Sequence, residues 1–268
     1  MAFKTPAEVV ETMGAACAVK TALPWRKLLV SGFLAGAYIG LGGLLAIMIG
    51  KGVAPTVMGD VRFNGLGRFL FAAVFPVGLM LVVVAGAELF TGNTAIVMPG
   101  VLAGRAPVRG LLRNWGLSYV GNFAGGLFVA YALAYLTGLC AAEPYLGAVR
   151  AMAAEKTGLS FMAAFWRGVG CNWLVCLAVW MAGAADDVGG KVLAVWFPIM
   201  AFVGLGFEHS VANMFFIPTG MFYGAEVSVG RFLVGNLLPV TLGNIVGGAF
   251  FVGFLSWWLY RRPAAKAQ

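Results

Sequence analysis

Three ionisable residues lie inside long apolar stretches of the chain. Residues 69–104 contain Glu88 as their one charged residue, and residues 192–225 contain Glu208 followed by His209, the only histidine. A charged side chain at the centre of a membrane helix costs about 2.5 to 3.5 kcal/mol even on lenient scales, which makes such residues candidates for function. The imidazole can also exchange a proton near neutral pH.

Each glutamate is followed five residues later by an asparagine. The pairs are Glu88 with Asn93 and Glu208 with Asn213. We expect these residues to support their loops, with each glutamate accepting backbone N–H bonds. We expect His209 to serve function, because it lies at an interruption and not in a regular helical turn. The alternative is a neutral imidazole that hydrogen-bonds between helices.

The composition places the chain in a lipid bilayer. Of its 268 residues, 61% are hydrophobic and only 10% are charged, too few for the surface of a soluble domain. The net charge of +8 comes from basic residues that stand singly or in pairs, which does not indicate a nucleic-acid-binding stripe. The four cysteines have no C-x-x-C spacing and none lies near the histidine, so they predict apolar packing and no metal site.

Uncharged runs long enough to cross a membrane occur at 28–50, 114–142, 168–185 and 232–260. As straight helices, the two stretches that carry the glutamates would be roughly 50 Å long, against a hydrocarbon core of about 30 Å. They therefore predict spans that break at depth, leaving irregular backbone that faces protein or a cavity. Six crossings result, with the second and fifth discontinuous.

The two halves of the chain repeat one pattern. Asn114 is followed by Gly-Asn seven residues later and by Gly-Gly eleven residues later, and Asn236 is followed by the same pairs at the same offsets. The repeat of about 120 residues contains three crossings, and an odd number makes the second copy enter the membrane from the opposite side. The predicted fold is an all-α integral membrane protein, with six transmembrane helices in an inverted 3+3 repeat.

The whole chain, 1–268, is interpreted as one transmembrane domain. Its parts are an N-terminal surface helix at 1–26, repeat one at 27–138, repeat two at 139–260 and a short tail at 261–268. The alternative for the first part is an amphipathic helix packed on the bundle. Of the 18 lysines and arginines, eleven lie on the side of both termini and seven on the other, which predicts cytoplasmic termini.

The broken spans favour an anion over a cation. Helix N-termini carry unpaired N–H groups and partial positive charge. Residues from Ala95 onward and from Val211 onward would supply these ends. Thr91 adds a hydroxyl donor, and His209 adds a titratable proton. Together these features predict a site for a small anion around Thr91 and His209.

Four ordered motifs resemble the signatures of the formate/nitrite transporter family. They are Ala-Glu-Leu-Phe-Thr-Gly at 87–92, Cys-Asn-Trp-Leu-Val-Cys-Leu-Ala-Val-Trp at 171–180, Gly-Phe-Glu-His-Ser-Val-Ala-Asn-Met at 206–214 and Asn-Leu-Leu-Pro-Val-Thr-Leu-Gly-Asn at 236–244. The resemblance implies an aquaporin-like protomer in a homopentamer, with a pore for formate, nitrite or a related anion in each protomer. We expect a channel-type transporter of the inner membrane, without enzymatic activity or a cofactor.

The resemblance also implies roles for individual residues. Thr91 and His209 would form the central pair, and Asn172 would line the same chamber. Lys156 would attract anions in the outer vestibule. The apolar constrictions would be formed by Phe75, Leu79, Leu89 and Phe202.

Proton linkage is expected on physical grounds. A bare anion loses its hydration in an apolar constriction, at an idealised Born cost of order 20 kcal/mol, whereas the neutral acid avoids most of that cost. His209 is the obvious proton donor. Polarised water, or the equilibrium of the anion with bulk acid, could do the same. Formate is the expected substrate, followed by nitrite, with transport linked to protons through His209.

The sequence leaves other functions open beside this one. Hydrosulfide or a short-chain acid such as lactate would suit the same family. An ammonium or neutral-solute channel is less favoured, because the paired Asn-Pro-Ala motifs of aquaporins are absent and ammonium channels typically have two histidines. A b-type cytochrome would need a second histidine as haem ligand.

Overall fold

The computed structural model describes residues 3–58 and 61–261, and only the backbone at 58 and 61–63. The predicted tail at 261–268 lies outside these residues from position 262 onward. Within them, six helices are long and apolar enough to cross a membrane: Trp25–Gly50, Gly65–Ala85, Val108–Tyr135, Phe161–Ala184, Val188–Leu205 and Arg231–Tyr260. The predicted all-α, multi-pass membrane architecture is confirmed.

The helices, in chain order, are α1 Pro6–Ala22, α2 Trp25–Gly50, α3 Gly65–Val74, α4 Val77–Ala85, α5 Phe90–Leu102, α6 Val108–Phe128, α7 Tyr145–Thr157, α8 Phe161–Ala184, α9 Val188–Leu205, α10 Ser210–Phe222, α11 Leu238–Ile245 and α12 Leu255–Tyr260. Wider π-helical segments are π1 Val129–Tyr135, π2 Arg231–Leu237 and π3 Val246–Phe254. A short antiparallel hairpin, β1 Thr56–Met58 and β2 Val61–Phe63, lies between α2 and α3.

Both predicted interruptions are present. Helix α4 stops before Gly86, and α9 stops before Gly206; their φ angles of 81° and 75° are conformations that glycine adopts without strain. The expected start of α5 at Ala95 is wrong, since the helix begins five residues earlier, at Phe90. The expected start of α10 at Val211 is also wrong, by one residue, since the helix begins at Ser210. The pieces before the two breaks, Gly65–Ala85 and Val188–Leu205, are each long enough to cross a membrane, so both are more than half-helices.

Glycines bring helix backbones into direct contact. A methyl group on Gly36 of α2 would overlap the carbonyl oxygen of Asn122 in α6. In the second half, a methyl group on Gly243 of α11 would overlap the carbonyl oxygen of Phe165 in α8. Gly36 and Gly243 therefore lie on packing surfaces, as small residues do between membrane helices.

The N-terminal helix α1 packs on the bundle, mainly against α5. It begins with a capping box between Thr5 and Glu8, and it buries Val10, Met13 and Cys17. The structure thus has a helix packed on the bundle, as in the alternative for this segment. Its position relative to a membrane surface stays a prediction.

The four cysteines are free and buried, as expected of packing residues. Burial raises the pKa of the Cys17 and Cys140 thiols above the usual value of 9.0. Over the described residues, no cluster of histidine, cysteine, aspartate or glutamate could hold a metal ion.

Candidate anion site

Glu208 is the centre of a buried polar network beside the second break. Its Oε1 accepts from Lys156 Nζ at 2.9 Å, and its Oε2 accepts from Asn213 Nδ2 at 2.6 Å and from Asn236 Nδ2 at 3.4 Å. The expectation that the glutamates accept backbone N–H bonds is wrong for both breaks. The donors to both carboxylates are side chains. The first backbone N–H of the helix after each break, that of Phe90 or Ser210, donates instead to the side chain of Asn122 or Asn244.

Glu88 has the same partners in the first half. Its Oε1 accepts from Lys20 Nζ at 2.7 Å, and its Oε2 accepts from Asn93 Nδ2 at 2.8 Å and from Asn114 Nδ2 at 3.3 Å. Every contact of Glu208 thus has a counterpart. Both glutamates and their asparagines are buried, and such groups are stable in a core only when their hydrogen bonds are made.

A second pair of asparagines joins the two sides of each break. Asn122 Oδ1 accepts from Phe90 N at 2.8 Å, and Asn122 Nδ2 donates to the Glu88 carbonyl oxygen at 3.0 Å. Asn244 makes the same two bonds across the second break, at 2.9 and 3.0 Å. These bonds explain why the short helices begin where they do. They also align the two halves residue by residue, while the inverted orientation of the repeats stays a prediction.

This alignment shows where the halves differ. His209 corresponds to Leu89, and Thr91 corresponds to Val211. The two polar members of these pairs meet each other, since Thr91 Oγ1 lies 2.9 Å from His209 Nε2. Both residues are buried. The predicted central pair, Thr91 and His209, is therefore in contact, and it lies at the two positions where the hydrogen-bonded frameworks of the two halves carry different residues.

The contacts of His209 fix its neutral tautomer. The backbone N–H of Ala212 donates to Nδ1 at 3.0 Å, so Nδ1 is an acceptor and the proton is on Nε2. Nε2–H therefore donates to Thr91 Oγ1, which leaves the hydroxyl hydrogen of Thr91 available to another acceptor. His209 is also the N-cap of α10, and this position holds the ring orientation.

A cavity of about 800 Å³ opens at the end of the bundle where α2 ends and α3 begins. The predicted site residues in its wall are Phe75, Lys156, Phe202, Glu208, His209 and Asn213. Those that do not line it are Leu79, Glu88, Leu89, Thr91, Asn93 and Asn172. His209 lines the cavity and contacts Thr91, which does not line it, so the imidazole lies between the cavity and Thr91.

Aromatic rings pack against each other in the wall of this cavity, beside His209. The Phe202 and His209 rings are nearly parallel, with centroids 5.9 Å apart, and Phe75 meets Phe202 edge-on at the same separation. Leu79 and Leu89 are buried in the same hydrophobic core. The structure thus places Phe75 and Phe202 in contact, and the role of all four residues as constrictions in transport stays a prediction.

The family model described as "Formate/nitrite transporter" matches residues 7–258. The chain belongs to this family. It is 51% identical to the "Probable formate transporter" of Methanothermobacter thermautotrophicus, over 96% of this chain and 97% of that one. It is 41% identical to the "Formate channel BtFdhC" of Bacillus thuringiensis over the full length of both.

Solved structures agree with the family. An "FNT family ion channel" superposes with a TM-score of 0.84 at 32% identity, covering 96% of this chain and 99% of that one. A "Pentameric formate channel with formate bound" has a TM-score of 0.74 at 32% identity, with 88% and 97% covered. This member of the formate/nitrite transporter family is therefore a multi-pass membrane transporter of the anion-channel type.

In this transporter, Asn172 lies behind Thr91 and not on the cavity. Its Nδ2 lies 3.1 Å from the Thr91 carbonyl oxygen, 3.0 Å from Thr94 Oγ1 and 2.6 Å from the Asn244 carbonyl oxygen. Cys176 Sγ donates to the same Thr91 carbonyl at 3.3 Å. Asn172 therefore holds the first turn of α5 in place, and its predicted contact with substrate stays a prediction.

Gly248 permits this arrangement, which leads to a stability prediction. A methyl group on Gly248 would overlap Thr94 Oγ1 and lie 2.6 Å from Asn172 Nδ2. We expect Gly248→Ala to lower stability by about 1 to 3 kcal/mol through overpacking, and to reduce transport by displacing Thr91. Gly116→Ala, with nothing within 4 Å of the added atom, is the control. Equal melting temperatures for the two variants in detergent would contradict this role.

Three basic residues near the breaks were not predicted as functional from the sequence: Lys20, Arg68 and Arg167. Lys20 and Lys156 both lie in the last turn of the short helix that precedes the first long span of each half. That shared position was the signal that could have identified Lys20. Arg68 and Arg167 line the cavity, and the sequence carries no comparable signal for them.

Proposed function

We propose that this chain conducts small monovalent anions, with formate first and nitrite second, across the inner membrane, and that a proton accompanies the anion at His209. One observation carries the proposal: the hydroxyl and imidazole that distinguish the two halves meet at 2.9 Å, beside a cavity lined by cationic side chains. The printed names of the formate transporters and channels that the chain resembles support the choice of substrate.

An anion entering the cavity would pass Lys156 and reach the rings of Phe75 and Phe202. There it leaves water, and desolvation raises the pKa of an acid because the charged form becomes less stable. His209 Nε2–H and the Thr91 hydroxyl are the donors beyond this point. They would replace part of the lost hydration.

His209 would relay a proton between the two sides of the constriction. Nδ1 faces Ala212 on the cavity wall, and Nε2 faces Thr91. A relay takes up a proton at Nδ1 and delivers the proton of Nε2 to the anion. For this to happen, Nδ1 must release the Ala212 N–H, so protonation is tied to a small movement at the start of α10.

Uptake into proteoliposomes tests the proposal. Labelled formate is added outside, with a pH-sensitive dye inside, at two external pH values. Proton-linked entry acidifies the interior and does not respond to valinomycin with potassium, because no net charge moves. Entry of the bare anion leaves the internal pH unchanged and is accelerated by valinomycin. Competition by nitrite, hydrosulfide, lactate and ammonium ranks the alternative substrates.

The variant His209→Asn isolates the proton. Asparagine is a good N-cap and can accept the Ala212 N–H, but it does not titrate. We expect formate uptake that no longer rises as the external pH falls, because no titratable ring remains at the constriction. Uptake that keeps the wild-type pH dependence would remove His209 from the relay without affecting formate conduction itself.

The homopentamer is also proposed for this chain. It rests on the solved neighbour described as a pentameric formate channel. Many large apolar side chains are exposed on the single protomer, including Trp166, Trp173 and Phe250, and these would contact lipid or neighbouring protomers. Native mass spectrometry of the detergent-solubilised protein would show five copies, and a monomer would contradict the assembly.

A further inference from the structure

The charge of Lys156 is already compensated in the cavity, so another group must attract the anion. Lys156 Nζ pairs with Glu208 at 2.9 Å, which offsets its charge. Three other cations line the same cavity: Lys51, Arg68 and Arg167. None of the three forms an ion pair in the described part of the chain. The wall also holds two glutamates: Glu208 pairs with Lys156, and Glu155 forms no ion pair among the described residues. Three cations against this one remaining carboxylate leave the cavity with net positive charge.

Arg167 is fixed beside the break. The carbonyl oxygen of Arg167 accepts the N–H of Glu208 at 3.2 Å. This bond holds the backbone of Arg167, in α8, next to the residue that precedes His209. In the first half, the corresponding carbonyl belongs to Ser31, which accepts from Glu88 N at 3.3 Å. At this position of the framework the arginine thus occurs only in the second half, like the histidine.

Arg68 approaches the same break from α3. Its Nε donates to the carbonyl oxygen of Gly204 at 2.9 Å, which anchors the guanidinium at the end of α9. One terminal nitrogen lies 3.6 Å from where a methyl group on Gly206 would be. Lys51 differs from both arginines, because its ammonium lies 5.7 Å from the ring centre of Phe71 and offers a point charge without a planar fork.

We infer that Arg167 and Arg68 form an anion-capture station in the cavity, before His209, which selects planar anions with two oxygens over single-atom anions. The inference rests on the proposed function. A guanidinium presents N–H groups in a planar fork that matches a carboxylate or nitrite, whereas hydrosulfide offers one acceptor atom. The station therefore favours formate, nitrite and short carboxylates over hydrosulfide.

Conservative replacement of Arg167 tests the station. Arg167→Lys keeps the charge and removes the fork. We expect the KM for formate to rise about tenfold with little change in maximal rate, and the KM for hydrosulfide to change less than about twofold. Arg167→Gln removes the charge as well and should raise both values. Lys51→Gln, on the same wall, should weaken both anions by similar factors.

Equal changes for formate and hydrosulfide in Arg167→Lys would overturn the selectivity. An unchanged formate KM in Arg167→Gln would overturn the station. If Arg167→Lys folds poorly, Arg68→Lys replaces it. The same changes in the KM for formate and for hydrosulfide are expected. The wild-type protein in the same assay distinguishes failure of the proposed function from failure of this inference. Absence of formate uptake by the wild type would contradict the proposed function. Formate uptake by the wild type, with the same KM in the arginine variants, would contradict only this inference.

Discussion

The double variant Thr91→Val with His209→Leu is expected to lose formate uptake and to keep its fold. These changes give each half the residue that the other half has at the same position, since Val211 corresponds to Thr91 and Leu89 to His209. Both donors beside the cavity are removed. A hydrogen bond to a charged group contributes about 1.5 to 3 kcal/mol, so the loss of two should reduce uptake roughly 100-fold or more.

The framework supports the folding part of this expectation. Leu89 precedes α5 without a side-chain cap, so the first half already tolerates leucine there. Loss of the His209 cap on α10 should cost about 0.5 to 2 kcal/mol. Thr219→Val is the control, because the Thr219 hydroxyl donates to the Phe215 carbonyl within its own helix. Formate uptake by the double variant at the level of this control would contradict the role of the pair.

The membrane spans could be predicted because the bilayer constrains their length and charge. Two stretches were too long for one straight span, and each contained one buried carboxylate, which located the breaks at Glu88 and Glu208. The partners of these glutamates could not be predicted. Whether a carboxylate accepts from backbone or from a side chain depends on three-dimensional positions, and Asn122 and Asn244 already occupy the backbone groups.

The missed Lys20 has a specific explanation. Lys20 and Lys156 differ by 136 positions, whereas Glu88 and Glu208 differ by 120, because the first half has a longer connection that contains the hairpin. Comparing the two halves at one fixed offset of 120 residues therefore matches Glu88 with Glu208, but it does not match Lys20 with Lys156. The role of Arg167 was hidden for another reason: its importance follows from the pairing of Lys156 with Glu208, and a distance of 2.9 Å is not visible in the sequence.

Replacing Glu208 by methionine is expected to destabilise the protein strongly. The change leaves the Lys156 ammonium, which is largely buried, without its carboxylate, and it leaves two asparagine amides with one acceptor fewer. Breaking one side of a buried ion pair costs about 3 to 5 kcal/mol. For a chain of this size, the melting temperature in detergent should fall by roughly 10 °C. Glu155→Met, which removes an exposed cavity glutamate from the same helix as Lys156, should change it little.

The second change Lys156→Met separates charge from packing. If the cost comes from an unpaired ammonium, then Glu208→Met with Lys156→Met should recover most of the loss, because an apolar pair of similar volume often replaces a buried ion pair without cost. The stability that is not recovered measures the contribution of the two asparagine amides. The coupling energy between Glu208 and Lys156 follows from a double-mutant cycle. A double variant as unstable as Glu208→Met alone would locate the stability of this break in the amide bonds and not in the ion pair.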